Sequence, residues 1–201
     1  MGTATIRHQA INEEFLRARL YGLLATLLVA PPPEDLLTRL CRLQADDTPL
    51  GSALGRLANT ADATVPTLIT EEFQALFIGV TGGELVPYAS WYLTGFLHEK
   101  PLAALRADMA RLGVEPSPGV SESEDHAASV LEIMQGLITG LFDETRDLGA
   151  QKRFYEAHVQ PWLPRFMADL EFNTQSRLYQ AVGTLGRVFL EIETQAFAMA
   201  D

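Results

Sequence analysis

Thiols are almost missing from this chain: Cys41 is the single cysteine in 201 residues. One thiol excludes an internal disulfide and the paired cysteines of a zinc site, and it fits a reducing compartment. Cations are also scarce. Fifteen Lys and Arg face 26 Asp and Glu, for a formal charge of -11. A surface that tracks phosphates needs the opposite balance, so nucleic acid is not expected as a partner and a basic peptide is favoured. Apolar runs are short. Leu20 to Ala30 is the most apolar stretch near the N-terminus, too short to span a bilayer. Glu13 and Glu14 before it are wrong for the basic flank of a signal peptide. Met1-Gly2 is followed by Ile at position six, where a myristoylation signal needs Ser or Thr. A cytoplasmic protein without stable membrane insertion is expected.

Catalytic and cofactor signatures are missing too. No G-x-x-x-x-G-K-[ST] loop and no G-x-G-x-x-G after a strand is present, so the known backbone cradles for nucleotides are lacking. No His-Glu-x-x-His occurs, and the residues three before His98, His126 and His158 are Gly95, Ser123 and Tyr155. The Glu-x-x-His pairs of a two-metal helical bundle are therefore absent, and neither a metal nor a cofactor is expected. Nothing resembles a nucleophile elbow. No strand-like alternation of useful length appears, which makes the class all-α.

What the chain does have is 47% hydrophobic content, enough for a sizeable core in one domain or two small lobes. Ile11, Phe15, Leu16, Leu20, Leu23, Leu24, Leu27 and Leu28 recur at helical spacing up to Pro31-Pro32-Pro33. Glu13, Arg17 and Tyr21 lie along one stripe of that helix, where Glu13 and Arg17 are spaced to pair. Leu36 to Leu43 and Leu50 to Leu57 predict two short helices, and Leu68 to Phe77 another that stops near Gly79. Pro101 suits the first position of a helix through Leu112, with Gly113 as its stop. Val130 to Leu141 predicts a central helix in which Gly136 and Gly140 would admit a close neighbour. Phe154 to Leu170 reads as two pieces joined at Pro161, with His158 as a packing histidine beside Phe154. A last helix is predicted over 174–198.

Two stretches carry chemistry. Gly82-Gly83 and Pro87 mark a turn-rich loop before Tyr88-Ala89-Ser90-Trp91-Tyr92, and three aromatics in five residues form either core or a rigid contact surface. Further on, a Pro- and Gly-broken stretch from Val114 to Val120 leads into Glu122-Ser123-Glu124-Asp125-His126. Ser121 and Glu124 have the spacing of a capping box, and acids in a first turn complement the helix dipole. The histidine is not needed for that. Its two ring nitrogens offer a donor and an acceptor beside carboxylates that accept, as suits a cationic ligand. The long loop is the expected boundary, giving an N-terminal lobe over 1–112, a hinge over 113–123 and a C-terminal lobe over 124–201.

Glu13-x-x-x-Arg17-x-x-x-Tyr21, Glu72-Phe73-x-x-Leu76-Phe77-x-Gly79, Pro87-Tyr88-x-Ser90-x-Tyr92, Glu122-x-x-Asp125-His126 and His158-x-x-Pro161-Trp162 occur in this order. Together they resemble the TorD/DmsD/NarJ-type chaperones of molybdoenzyme maturation, over nearly the whole chain from Glu13 to Glu193. The resemblance implies an all-helical bundle of two lobes that is not an enzyme. It implies binding of the apo catalytic subunit of a molybdopterin oxidoreductase, and of its twin-arginine leader peptide, before cofactor insertion and export or assembly. The family's Glu-Pro-x-Asp-His hinge motif matches Glu122, Asp125 and His126, with Ser123 in place of proline, which implies a less rigid hinge. Some members bind a guanine nucleotide weakly, a trait implied by the resemblance alone.

A leader of this kind is basic and then apolar, so its receptor should place carboxylates beside aromatic surface. Tyr88, Ser90, Trp91, Tyr92, Glu122, Asp125 and His126 are accordingly expected to line one peptide groove between the lobes, with His126 orienting Asp125 or donating to a peptide carbonyl. Two other readings stay open: a helical-bundle hydrolase or lyase with Asp125 and His126 as its acid-base pair, and a structural adaptor whose acid-histidine cluster only caps a helix. The long loop permits a monomer or a domain-swapped dimer.

Overall fold

The computed structural model describes residues 2–79, 83–115, 122–142 and 147–200, with side chains from residue 13 onward. Among these residues the chain is helical, in the order α1 (Gly2–Val29), α2 (Glu34–Leu40), α3 (Pro49–Asp62), α4 (Pro66–Phe73), α5 (Ala89–Thr94), α6 (Lys100–Leu112), α7 (Ala127–Thr139), α8 (Leu148–Phe154), α9 (Leu163–Phe172) and α10 (Arg177–Met199). The wider π turn continues α4 over Gln74–Ile78 and α8 over Tyr155–Val159. The all-α class follows from the 3.6-residue apolar period.

Local chemistry sets most helix ends. Pro101 lies in the first turn of α6, and Gly113 closes that helix with φ 68°. Gly140 closes α7 with φ 77°, a left-handed conformation that a side chain resists. Thr48 accepts Gly51 N–H at the start of α3, Asp147 accepts Gly149 and Ala150 N–H at α8, and Ser176 accepts Tyr179 N–H at α10. Each bond satisfies a donor that the helix itself leaves unpaired.

The chain forms two compact units, 1–25 with 88–161 and 26–87 with 162–201. This differs from the expected lobes over 1–112 and 124–201, because the expected hinge at 113–123 lies within the first unit. Its residues 116–121, including Ser121 of the expected capping box, fall outside the described residues, as does Gly82 of the turn-rich loop. Proline and glycine mark where a chain turns; which core it then joins is decided by what it buries. In the first unit α7 is the most buried element, with Val130, Leu131 and Met134 fully covered, and it packs on α8 and the π turn that follows. In the second unit α10 packs on α9 and α3 around Leu57, Phe166, Leu170, Val182, Leu185 and Phe189, all 2% exposed or less. Each such side chain contributes about 1.5–3 kcal/mol by leaving water.

Gly183 and Gly186 of α10 lie directly under the Glu171 backbone and the Met167 side chain of α9, so here glycine does admit a close neighbour. The pair predicted for that role behaves otherwise. Gly140 is a C-cap, and the space beside Gly136 is filled by the Phe142 ring. His158 packs against the Phe154 ring at 4.9 Å between centroids, and its Nε2 lies 2.6 Å from Asp108 Oδ2. Arg17 reaches Gln151 Oε1 of α8 at 3.5 Å.

Candidate functional site

Tyr88 and His126 are 38 positions apart, yet they meet as an antiparallel backbone bridge. Ala89 N–H donates to the Asp125 carbonyl at 2.9 Å, and Ser90 N–H donates to Asp125 Oδ2 at 2.9 Å. Tyr88 sits at the N-cap position of α5 and its side chain makes no cap there. The Asp125 carboxylate supplies that cap from a distant segment, pairing a first-turn donor and complementing the helix dipole. Ser123 Oγ donates to the other oxygen, Oδ1, at 2.7 Å. Asp125 is 1% exposed and Ser90 fully buried. A proline at 123 has no hydroxyl, so the serine ties the segment down by a hydrogen bond where ring stiffness would do so otherwise. The sequence implied a looser hinge from the same substitution.

His126 caps α7. Ala128 N–H donates to its Nδ1 at 3.1 Å, which leaves the proton of the neutral ring on Nε2. Burial holds the imidazole below its usual pKa, while Glu122 and Asp125 act in the opposite sense. The Tyr88 ring meets it edge-on at 5.1 Å, and the Tyr88 hydroxyl donates to Glu122. Burial, and then that bond to a carboxylate, push the phenol pKa well above its normal value, so it stays a donor. Glu122 is exposed and Trp91 is 44% exposed, while Tyr92 is half-buried. All seven expected residues thus belong to the first unit. Asp125 and Ser90 hold the segments together from inside, and Glu122 and Trp91 face solvent.

The same unit contains a cavity of about 740 Å³ whose wall includes Glu122, Ser123 and Glu124. The sequence pattern did not assign a site role to its other titratable members, His98, Arg106, Glu115 and Glu132. Arg106 of α6 clamps Glu124 with Nε at 3.0 Å and Nη2 at 2.7 Å. The bond from Arg106 holds the Glu124 carboxyl below its usual range, and the same bond raises the guanidinium. Glu132 gave one readable sign, a lone acid among Val130, Leu131, Ile133 and Met134. In the turn between α5 and α6, Phe96 and Leu97 are 69% and 46% exposed, and His98, which lines the cavity, takes a positive φ of 59°. The Ser90 hydroxyl anchors this turn by accepting Glu99 N–H at 3.3 Å. Acids, a buried hydrogen-bonded frame and exposed apolar side chains share one unit, an arrangement suited to a segment that is cationic in one part and apolar in another. Among the described residues, no group of three or more His, Cys, Asp or Glu is placed to hold a metal, and no helix is long and apolar enough to cross a membrane.

Comparison with known proteins agrees with the fold. The sequence profile of the nitrate reductase delta subunit family matches residues 43–168. Chaperone protein TorD of Vibrio cholerae is 30% identical over 149 residues, covering 71% of this chain and 67% of that protein. Chaperone protein TorD of Shewanella loihica is 26% identical over 151 residues, covering 70% and 67%. A crystal structure described as a redox enzyme maturation protein from Archaeoglobus fulgidus superposes with a TM-score of 0.58 at 19% identity, over 89% of this chain and 94% of that one.

Proposed function

This chain belongs to the nitrate reductase delta subunit family and is a chaperone of molybdoenzyme maturation, not a catalyst; from that premise we propose that it works in the cytoplasm and takes hold of its client through the leader peptide. The client is the apo catalytic subunit of a molybdopterin oxidoreductase, bound until its cofactor is inserted. The observation that carries the reading is the joining of the 88–92 and 122–126 segments around the buried Asp125 carboxylate, which leaves Trp91 and Glu122 on the outside. In this account Asp125, Ser90 and His126 position the surface. Trp91, Tyr92, Tyr88 and Glu122 contact the peptide, aromatic faces taking its apolar part and the carboxylate its basic part. A frame held by buried hydrogen bonds binds with less ordering cost than a loose loop.

The test is a pull-down with the tagged chain from cells making the full-length client precursor or a precursor without its leader, read by mass spectrometry. The client should be recovered strongly with the leader and weakly without it. Equal recovery of both forms would assign binding to the mature subunit and remove the leader from the account.

A further inference from the structure

We infer that the π turn over Gln74–Ile78 is one of two registers of this helix end, and that client binding at the 88–92 surface shifts it to the other, α-helical register, in which the buried Tyr179 hydroxyl gains an acceptor. This rests on the reading that the 88–92 segment contacts the client. In the register seen, Gly79 N–H donates to the Gln74 carbonyl, five residues back, at 2.7 Å. An α-helical register takes the same donor to Ala75. The Ala75 carbonyl is thereby released and accepts Glu84 N–H at 3.4 Å, while the Leu76 carbonyl beside it accepts Leu85 N–H at 2.9 Å. Gly83 lies so close to the backbone of Leu76 and Phe77 that a methyl there would overlap it, and Asn173 donates to Glu84 Oε2 at 2.8 Å. The π register thus holds down the chain that leads through Pro87 into Tyr88.

That register is not the one the core satisfies best. The Tyr179 ring of α10 packs on the turn, 5.9 Å from the Phe73 ring and edge-on to Phe77 at 5.4 Å. Tyr179 is fully buried, and among the described residues its hydroxyl has no hydrogen-bond partner. Such groups are rare, because the bonds lost from water are not replaced. The neighbouring Glu72 carboxylate already accepts the Ser176 hydroxyl. Phenylalanine would fill the same volume without the unpaired oxygen, so the hydroxyl has a use only where a second state bonds it. The acceptors that a change of register redistributes are carbonyls of the turn that carries Phe73 and Phe77. A π turn holds one residue more than the α turn it replaces, and one residue of register moves the chain by about 1.5 Å and turns it by about 100°. Such a move withdraws Ala75 and Leu76 from Glu84 and Leu85. Leu85 is three residues before Tyr88, whose ring meets His126 and whose hydroxyl donates to Glu122, so the change is delivered at the client surface.

The experiment is residue-resolved amide exchange by NMR on the full chain, wild type and Tyr179→Phe, alone and with a saturating synthetic leader-type peptide, together with thermal melting of both proteins. Without peptide, Tyr179→Phe should raise the thermal midpoint by about 2–4 °C, since the unpaired hydroxyl is gone and the ring is kept. It should also slow exchange at Glu84 and Leu85 about tenfold beyond any change at the α9 and α10 amides, because the second register has lost its bond. A lower midpoint means that the hydroxyl is already bonded in the free chain, and exchange at Glu84 and Leu85 that only follows the rest of the second unit means that there is no second register. Either result overturns the inference. With peptide, wild type should lose protection at Glu84 and Leu85, and Tyr179→Phe should bind about tenfold more weakly. Peptide that binds both proteins equally, or that leaves those two amides of wild type protected, overturns the inference while the leader reading stands. No binding of the peptide by wild type overturns the leader reading, and the free-chain measurements then decide the two registers by themselves.

Discussion

A buried aspartate that accepts from a backbone N–H and from a serine hydroxyl is costly to remove, because both donors are left without a partner. Asp125 is in this position, receiving Ser90 N–H and Ser123 Oγ. Asp125→Ala should lower stability by about 3 kcal/mol, and Ser123→Ala by about 1 kcal/mol, both measured as denaturant midpoints at constant slope. His126 gives a pH dependence. Burial holds its folded pKa below the ordinary histidine value of about 6.5, so between the two values the unfolded chain holds the extra proton. The contribution of His126 is complete above about pH 6.5 and is lost as pH falls through the folded pKa. His126→Asn keeps a capping side chain but cannot titrate. Its urea midpoint should therefore fall less than that of wild type between pH 7.5 and 5.5. The sequence showed these residues as a cluster, but not their division of labour. Asp125 and Glu122 are both carboxylates three positions apart, and only the folded chain makes one a buried cap for α5 and the other a surface group.

Helices were the most readable elements, because apolar period, proline starts and glycine stops all agree on them. Gly113, closing α6 with φ 68°, is an example. The six-residue α5 was not readable. It has no cap of its own and depends on Asp125, 35 residues on from Ser90. The Gly136 and Gly140 spacing misled for a related reason: a small residue permits contact but does not say with what, and Phe142 took the place at Gly136. Close helix packing occurs instead at Gly183. Gly183→Ala would drive a methyl into the Glu171 backbone, which cannot swing aside as a side chain can. The expected loss is about 1–3 kcal/mol, read as a lower thermal midpoint. Gly113→Ala, with open space around it, should cost only the strain of its positive φ, about 1 kcal/mol.

At the scale of the molecule, the fold class and the family were legible, and the division of the chain was not. Loop composition placed the boundary at 113–123, whereas the units exchange chain at 25/26, 87/88 and 161/162. Those exchanges leave no composition signal beyond Pro87 and Pro161, since the assignment depends on which distant segments share a core. Neither unit is one continuous stretch. A fragment over 1–112 lacks α7 and α8 of the first unit and α9 and α10 of the second, so it should show fast amide exchange throughout instead of a stable lobe. The placement of all seven expected site residues in one unit leads to the central claim, which NMR tests most directly. A leader-type peptide is titrated into the isotope-labelled chain and the shifted resonances are mapped. The account predicts that the Trp91 indole and the amides of 88–92 and 122–126 shift in a saturable way, with less response as salt is raised. Saturable shifts confined to the second unit, with Trp91 and Glu122 unmoved, would contradict it.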